Sequence, residues 1–74
     1  MAELPVVSCR EAIKAFKKIG YQVVRQRGSH FRLHHPERRP ITIPNYRRLS
    51  KGLLRKILRD AQLSVGEFRA LLGD

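Results

Sequence analysis

The spacing of apolar residues changes from a helical period to a strand period at Gly20-Tyr21, and that change constrains the fold more than any single motif. Before it, Cys9, Ala12, Ile13, Phe16 and Ile19 share one helical face, while Arg10, Lys14, Lys17 and Lys18 fall elsewhere. Ser8 followed by Glu11 forms a capping box that starts this helix, and Gly20 ends it. After it, Tyr21, Val23 and Arg25 alternate with Gln22, Val24 and Gln26, which predicts a strand running into a turn at Arg27-Gly28. A second strand is predicted from His30 to His34, with Phe31 and Leu33 facing the core and His30, Arg32 and His34 facing the other way.

Pro36-Glu37-Arg38-Arg39-Pro40 reads as a turn, and Ile41-Thr42-Ile43 as a third short strand whose flanking prolines suit a sheet edge. A basic loop, Asn45 to Leu49, leads to Ser50, the predicted cap of a helix with Leu53, Leu54, Ile57, Leu58 and Ala61 on its apolar face. Ser64 and Glu67 form a second capping box for a last short helix that buries Val65, Phe68, Leu71 and Leu72 and ends at Gly73. Met1 to Val7, broken by Pro5, reads as a loosely held lead-in. The predicted class is α+β: a two-layer sandwich of a three-stranded antiparallel sheet with helices on one face and the other face open. With 74 residues there is room for one domain, residues 1–74, and no second core.

Charge narrows the partners. The chain carries 16 Lys+Arg against 6 Asp+Glu, a formal net charge of +10. Between Tyr21 and Arg59 the one acid is Glu37, against Arg25, Arg27, Arg32, Arg38, Arg39, Arg47, Arg48, Lys51, Arg55, Lys56 and Arg59, so this half is the electrostatic footprint. Such a surface calls for an anionic partner. A membrane fits poorly, since no apolar run approaches the roughly 20 residues of a spanning helix and no signal segment opens the chain. The cytoplasm is the expected location. Cys9, the one cysteine, has no disulfide partner and no neighbours at metal-ligand spacing, and adjacent His34 and His35 lack a third ligand, so no metal or cofactor is expected.

Within the footprint, Arg25-Gln26-Arg27-Gly28-Ser29-His30 holds the parts for metal-free RNA cleavage: cations for a phosphodiester and an imidazole to move a proton. RNA supplies its own nucleophile, the 2′-OH beside each phosphate. His30 is the candidate general base or acid, Gly28 admits the backbone close to a phosphate, and Ser29 can donate a hydrogen bond to it. Arg25, Arg27, Arg32, Arg47, Arg48 and Lys51 are candidate RNA contacts; Tyr46 and Tyr21 are the expected exposed aromatics, and Tyr46 is placed either to stack on a base or to pack. On its own the hexapeptide is equally an ordinary turn followed by a solvated histidine.

In order and spacing these segments resemble the HicA (YcfA-like) toxin family of bacterial type II toxin–antitoxin systems, from Ser8 to Leu72. The resemblance rests on Val24-Arg25-Gln26-Arg27-Gly28-Ser29-His30, the His35-Pro36 turn with Arg39, the Ile41-Thr42-Ile43-Pro44 strand, and Lys51-Gly52-Leu53-Leu54-Arg55-Lys56-Ile57-Leu58 followed by Leu63-Ser64-Val65. It implies a fold similar to a double-stranded RNA-binding domain, an mRNA interferase activity with His30 as the catalytic residue, and a HicB-type antitoxin that covers that histidine. Two positions depart from the pattern: Phe31 stands where many relatives have a second histidine, and Asn45-Tyr46 where many have histidine and glycine.

Three functional readings are open at this point: a metal-independent endoribonuclease acting on single-stranded message, a non-catalytic RNA-binding module of similar fold, and a basic protein whose main partner is another protein.

Overall fold

Helix α1 (Cys9–Lys17) leads into strands β1 (Gln22–Arg27), β2 (His30–His34) and β3 (Ile41–Pro44), followed by helices α2 (Lys51–Ala61) and α3 (Val65–Leu72). The structure is a computed structural model and describes residues 3–73; of the lead-in, Met1 and Ala2 lie outside the described residues. The strands form an antiparallel sheet in the order β1-β2-β3, so β2 is central and β3 an edge, as its flanking prolines require. Helices cover one face, giving the two-layer α+β sandwich that the periodicity predicts.

Local signals act where they stand. Ser8 accepts from the Glu11 amide at 3.1 Å while the Glu11 carboxylate accepts from the Ser8 amide at 2.9 Å, which satisfies two orphan donors of α1. Ser64 and Glu67 repeat the arrangement at α3, and Ser50 caps α2 through the Leu53 amide at 3.2 Å. The α1 helix closes at Lys17, and a further turn reaches Gly20, whose φ of +108° is open to glycine and strained for other residues.

Phe16, Tyr21, Leu33, Ile41, Ile43, Leu54 and Phe68 form the fully buried centre. Phe16 meets Tyr21 edge-on at 5.5 Å and Phe68 at 5.3 Å, tying α1 to the sheet and to α3. Tyr21 is therefore a core residue and not an exposed aromatic; its hydroxyl donates to the Arg39 carbonyl at 2.8 Å. Cys9 is likewise a buried apolar residue, and burial raises its thiol pKa. The lead-in is held more firmly than expected: Val7 is buried, its carbonyl accepts from the Leu49 amide at 2.8 Å, and the Glu3 carbonyl accepts from Arg69 at 3.0 Å.

The β1–β2 ladder contains an irregularity that alternation does not predict. Val23 pairs with Leu33 and Arg25 with Arg32, leaving Val24 as an extra residue in a β-bulge. Strict alternation places Arg25 on the core side with Tyr21 and Val23. The bulge resets the count, and Arg25 and Arg27 emerge on the open face. Strand β1 also runs one residue further than expected, through Arg27, which pairs with His30 across the two-residue turn Gly28-Ser29.

Candidate nucleic-acid interface

The open face of the sheet is built by three strands at one end. Arg32 pairs with Arg25 on β1 and with Thr42 on β3, and His30 pairs with Arg27 and Pro44. Partners in an antiparallel ladder project to the same side. Arg25, Arg27, His30, Arg32 and Thr42 consequently line one open cavity of about 350 Å³. Three guanidinium groups and an imidazole share it, with no carboxylate in its lining.

Two contacts order the site. Arg32 Nη1 donates to Thr42 Oγ1 at 2.8 Å, fixing one guanidinium against the neighbouring strand. At the hairpin, Gly28 takes φ +58°, as mirror-image two-residue turns demand, and a Cβ there would meet nothing within 4 Å. The Ser29 carbonyl accepts from the Asn45 amide at 2.6 Å, which binds the turn to the exit of β3. Thr42 is a site residue that sequence reasoning missed, because a threonine in a short strand carries no signal of its function.

The structure does not bring every candidate together. Arg47 and Arg48, on the β3–α2 connection, and Lys51, at the start of α2, are exposed and lie outside the cavity lining. Gly28 and Ser29, in the turn between Arg27 and His30, also lie outside its lining. Arg38, counted in the basic footprint, is structural: its Nη1 donates to the carbonyls of Ala61 and Gln62 at 2.8 and 3.1 Å, closing the C-terminus of α2.

The remaining histidines differ in kind. His34 is exposed on the open face, four residues along β2 from His30 and so about 13 Å away at strand rise. His35 is half-buried against Tyr21, with ring centroids 4.9 Å apart. Its Nδ1 accepts from the Glu37 and Arg38 amides at 3.0 and 3.1 Å, which leaves Nε2 as the donor to the Ile19 carbonyl at 2.8 Å. Both nitrogens of His35 are thereby committed to holding the β2–β3 connection. Among the described residues, no group of three or more His, Cys, Asp or Glu side chains is placed to hold a metal ion, and no helix is long and apolar enough to cross a membrane.

Fold and site together define a small basic α+β domain that presents arginines around an exposed histidine on an uncovered sheet face. The profile of a family described as HicA toxin of bacterial toxin–antitoxin matches residues 9–63, three-quarters of the chain. The chain belongs to the HicA toxin family. No curated protein matches it.

Proposed function

We propose that this chain, as one HicA-like domain over residues 1–74, is a metal-independent endoribonuclease that cuts single-stranded mRNA in the cytoplasm and so inhibits translation. The observation that carries the reading is the position of His30 among Arg25, Arg27 and Arg32 in one cavity. Guanidinium groups stay charged and offer paired donors to phosphate oxygens, so they can bind the scissile phosphate and stabilise its phosphorane. His30 takes the proton from the 2′-OH as that oxygen attacks phosphorus. The bond to the 5′-oxygen then breaks, leaving a 2′,3′-cyclic phosphate and a 5′-hydroxyl. Solvent or the newly protonated His30 supplies the proton to the departing oxygen. His34 is too far to share this transfer and His35 is bonded at both nitrogens.

The partner this reading implies is a HicB-type antitoxin. An acidic surface that covers the sheet face would neutralise the arginines and bar RNA from His30 in one contact.

Cleavage of a labelled single-stranded RNA in EDTA tests the proposal. Wild type is expected to cut, His30→Ala to lose about 10²–10⁴-fold in rate while binding RNA within a few-fold, and an all-deoxy substrate to resist. If wild type and His30→Ala bind RNA equally and neither cuts, the protein is a binding module and the catalytic reading fails.

A further inference from the structure

The open sheet face carries a second recess, at the end of β2 opposite His30. Gly20, Gln22, Val24, His34, His35 and Pro36 line a space of about 410 Å³. Its chemistry is unlike that of the first cavity: no lysine, arginine or acid lines it, and its walls are imidazole, proline, valine and a carboxamide.

The segregation follows from the bulge. Gln22 pairs with His34, so both project to the open face, and Val24 stands two residues after Gln22 on the same side. Because Val24 is the extra residue between the Val23–Leu33 and Arg25–Arg32 pairs, one apolar and one cationic side chain emerge there in succession. The extra residue thus divides the face into a cationic half and an uncharged half. Val24 is 51% exposed, an apolar side chain that nothing in the fold covers.

The recess also has a firm floor. His35 is held by Ile19, Glu37 and Arg38, and Gly20 approaches so closely that a Cβ there would lie 3.1 Å from His35 Nε2. Above that floor, the exposed ring of His34 and the Val24 side chain offer flat apolar surface, and the Gln22 amide offers a donor and an acceptor side by side. Those are the groups that grip an unstacked nucleobase: a ring to stack on and a polar edge to pair with.

We propose that this recess is a nucleobase subsite, which holds a base of the same RNA strand a few nucleotides from the phosphate bound at Arg25, Arg27 and Arg32. The inference rests on the reading of the cationic cavity as an RNA site. His34 is the stacking platform, Val24 packs on the base, and Gln22 bonds its edge. The subsite sets the direction of the strand along β2 and makes recognition depend on substrate length.

Binding of a non-cleavable 2′-O-methyl hexanucleotide and dinucleotide, followed by fluorescence anisotropy, tests this without relying on cleavage. His34→Ala is expected to weaken hexanucleotide binding by about 5- to 100-fold and to leave dinucleotide binding unchanged. His34→Phe, which keeps a ring without the nitrogens, is expected to restore most of the loss. Equal hexanucleotide affinity for wild type and His34→Ala overturns the subsite, as does a loss in His34→Phe as large as that in His34→Ala, or an equal loss on the dinucleotide. Cleavage of a hexanucleotide RNA by the same proteins separates the two readings: an uncut RNA that still binds through His34 removes the nuclease and leaves the subsite standing.

Discussion

Replacing Arg38 by Met takes a guanidinium away from a helix end while keeping most of the apolar stem. The lost contacts are the bonds to the Ala61 and Gln62 carbonyls at 2.8 and 3.1 Å, two of the acceptors that α2 cannot satisfy internally. A hydrogen bond from a charged donor contributes about 1.5–3 kcal/mol, and a cation at a helix C-terminus adds about 0.3–1 kcal/mol. Gln62 is exposed, so water replaces much of the second bond, whereas Ala61 is fully buried and its bond counts nearly in full. The expected loss is about 2–3 kcal/mol, which in a domain of this size lowers Tm by roughly 10–20 °C. Melting followed by circular dichroism measures it, with Arg39→Met as control. Arg39 is exposed, and its side chain should contribute under about 0.5 kcal/mol. RNA cleavage by the folded Arg38→Met protein should match wild type, because Arg38 does not line the cationic cavity. A Tm within about 3 °C of the Arg39→Met control would refute the assignment of Arg38 to the helix end.

Two further predictions concern the backbone and an exposed cap. Gly20→Ala must place a side chain at φ +108° and within 3.1 Å of His35 Nε2, whereas Gly28→Ala at φ +58° meets open space, so Gly20→Ala should lower the urea midpoint clearly more; equal midpoints would remove the close approach as a cause. The Glu67 carboxyl is held below its ordinary value of 4.5 by the Ser64 backbone amide first and the Ser64 side chain second. Its folded pKa is the lower one, so its contribution is present above about pH 4.5 and lost as pH falls through the folded value. Glu67→Gln keeps the cap acceptor but cannot titrate, so the stability gap between it and wild type should narrow in acid; parallel pH profiles would rule out Glu67 as a source of the acid limb.

Much of the fold is written in short-range signals. Ser8 with Glu11 and Ser64 with Glu67 are each read correctly because a capping box is complete within four residues, and β2 is found because His30 to His34 alternates cleanly. The bulge at Val24 is hidden for the opposite reason. It is a property of the pairing with β2: the adjacent valines in Gln22-Val23-Val24-Arg25 break the alternation, but only the partner strand shows that Val24 is the extra residue. Arginine roles are hidden too: Arg25 and Arg38 look alike in sequence, and only the fold decides that one faces an open cavity and the other a helix end. Tyr21 is equally ambiguous, since its hydroxyl suits solvent until the Arg39 carbonyl is brought within 2.8 Å.

The order β1-β2-β3 divides the open face into a stiff part and a compliant one. His30 sits on the central strand, laddered on both sides to Arg27 and Pro44, and β3 beyond it is clamped by α1 and α2. Arg25 and Arg27 sit on β1, an edge strand whose every residue is exposed. Openings of β1 leave the core intact, so its amides should exchange with solvent well before those of β2. The imidazole and the Arg32 guanidinium thus keep a constant aim, while the guanidinium groups of Arg25 and Arg27 ride on a strand that can yield to the contour of whatever chain lies across the sheet.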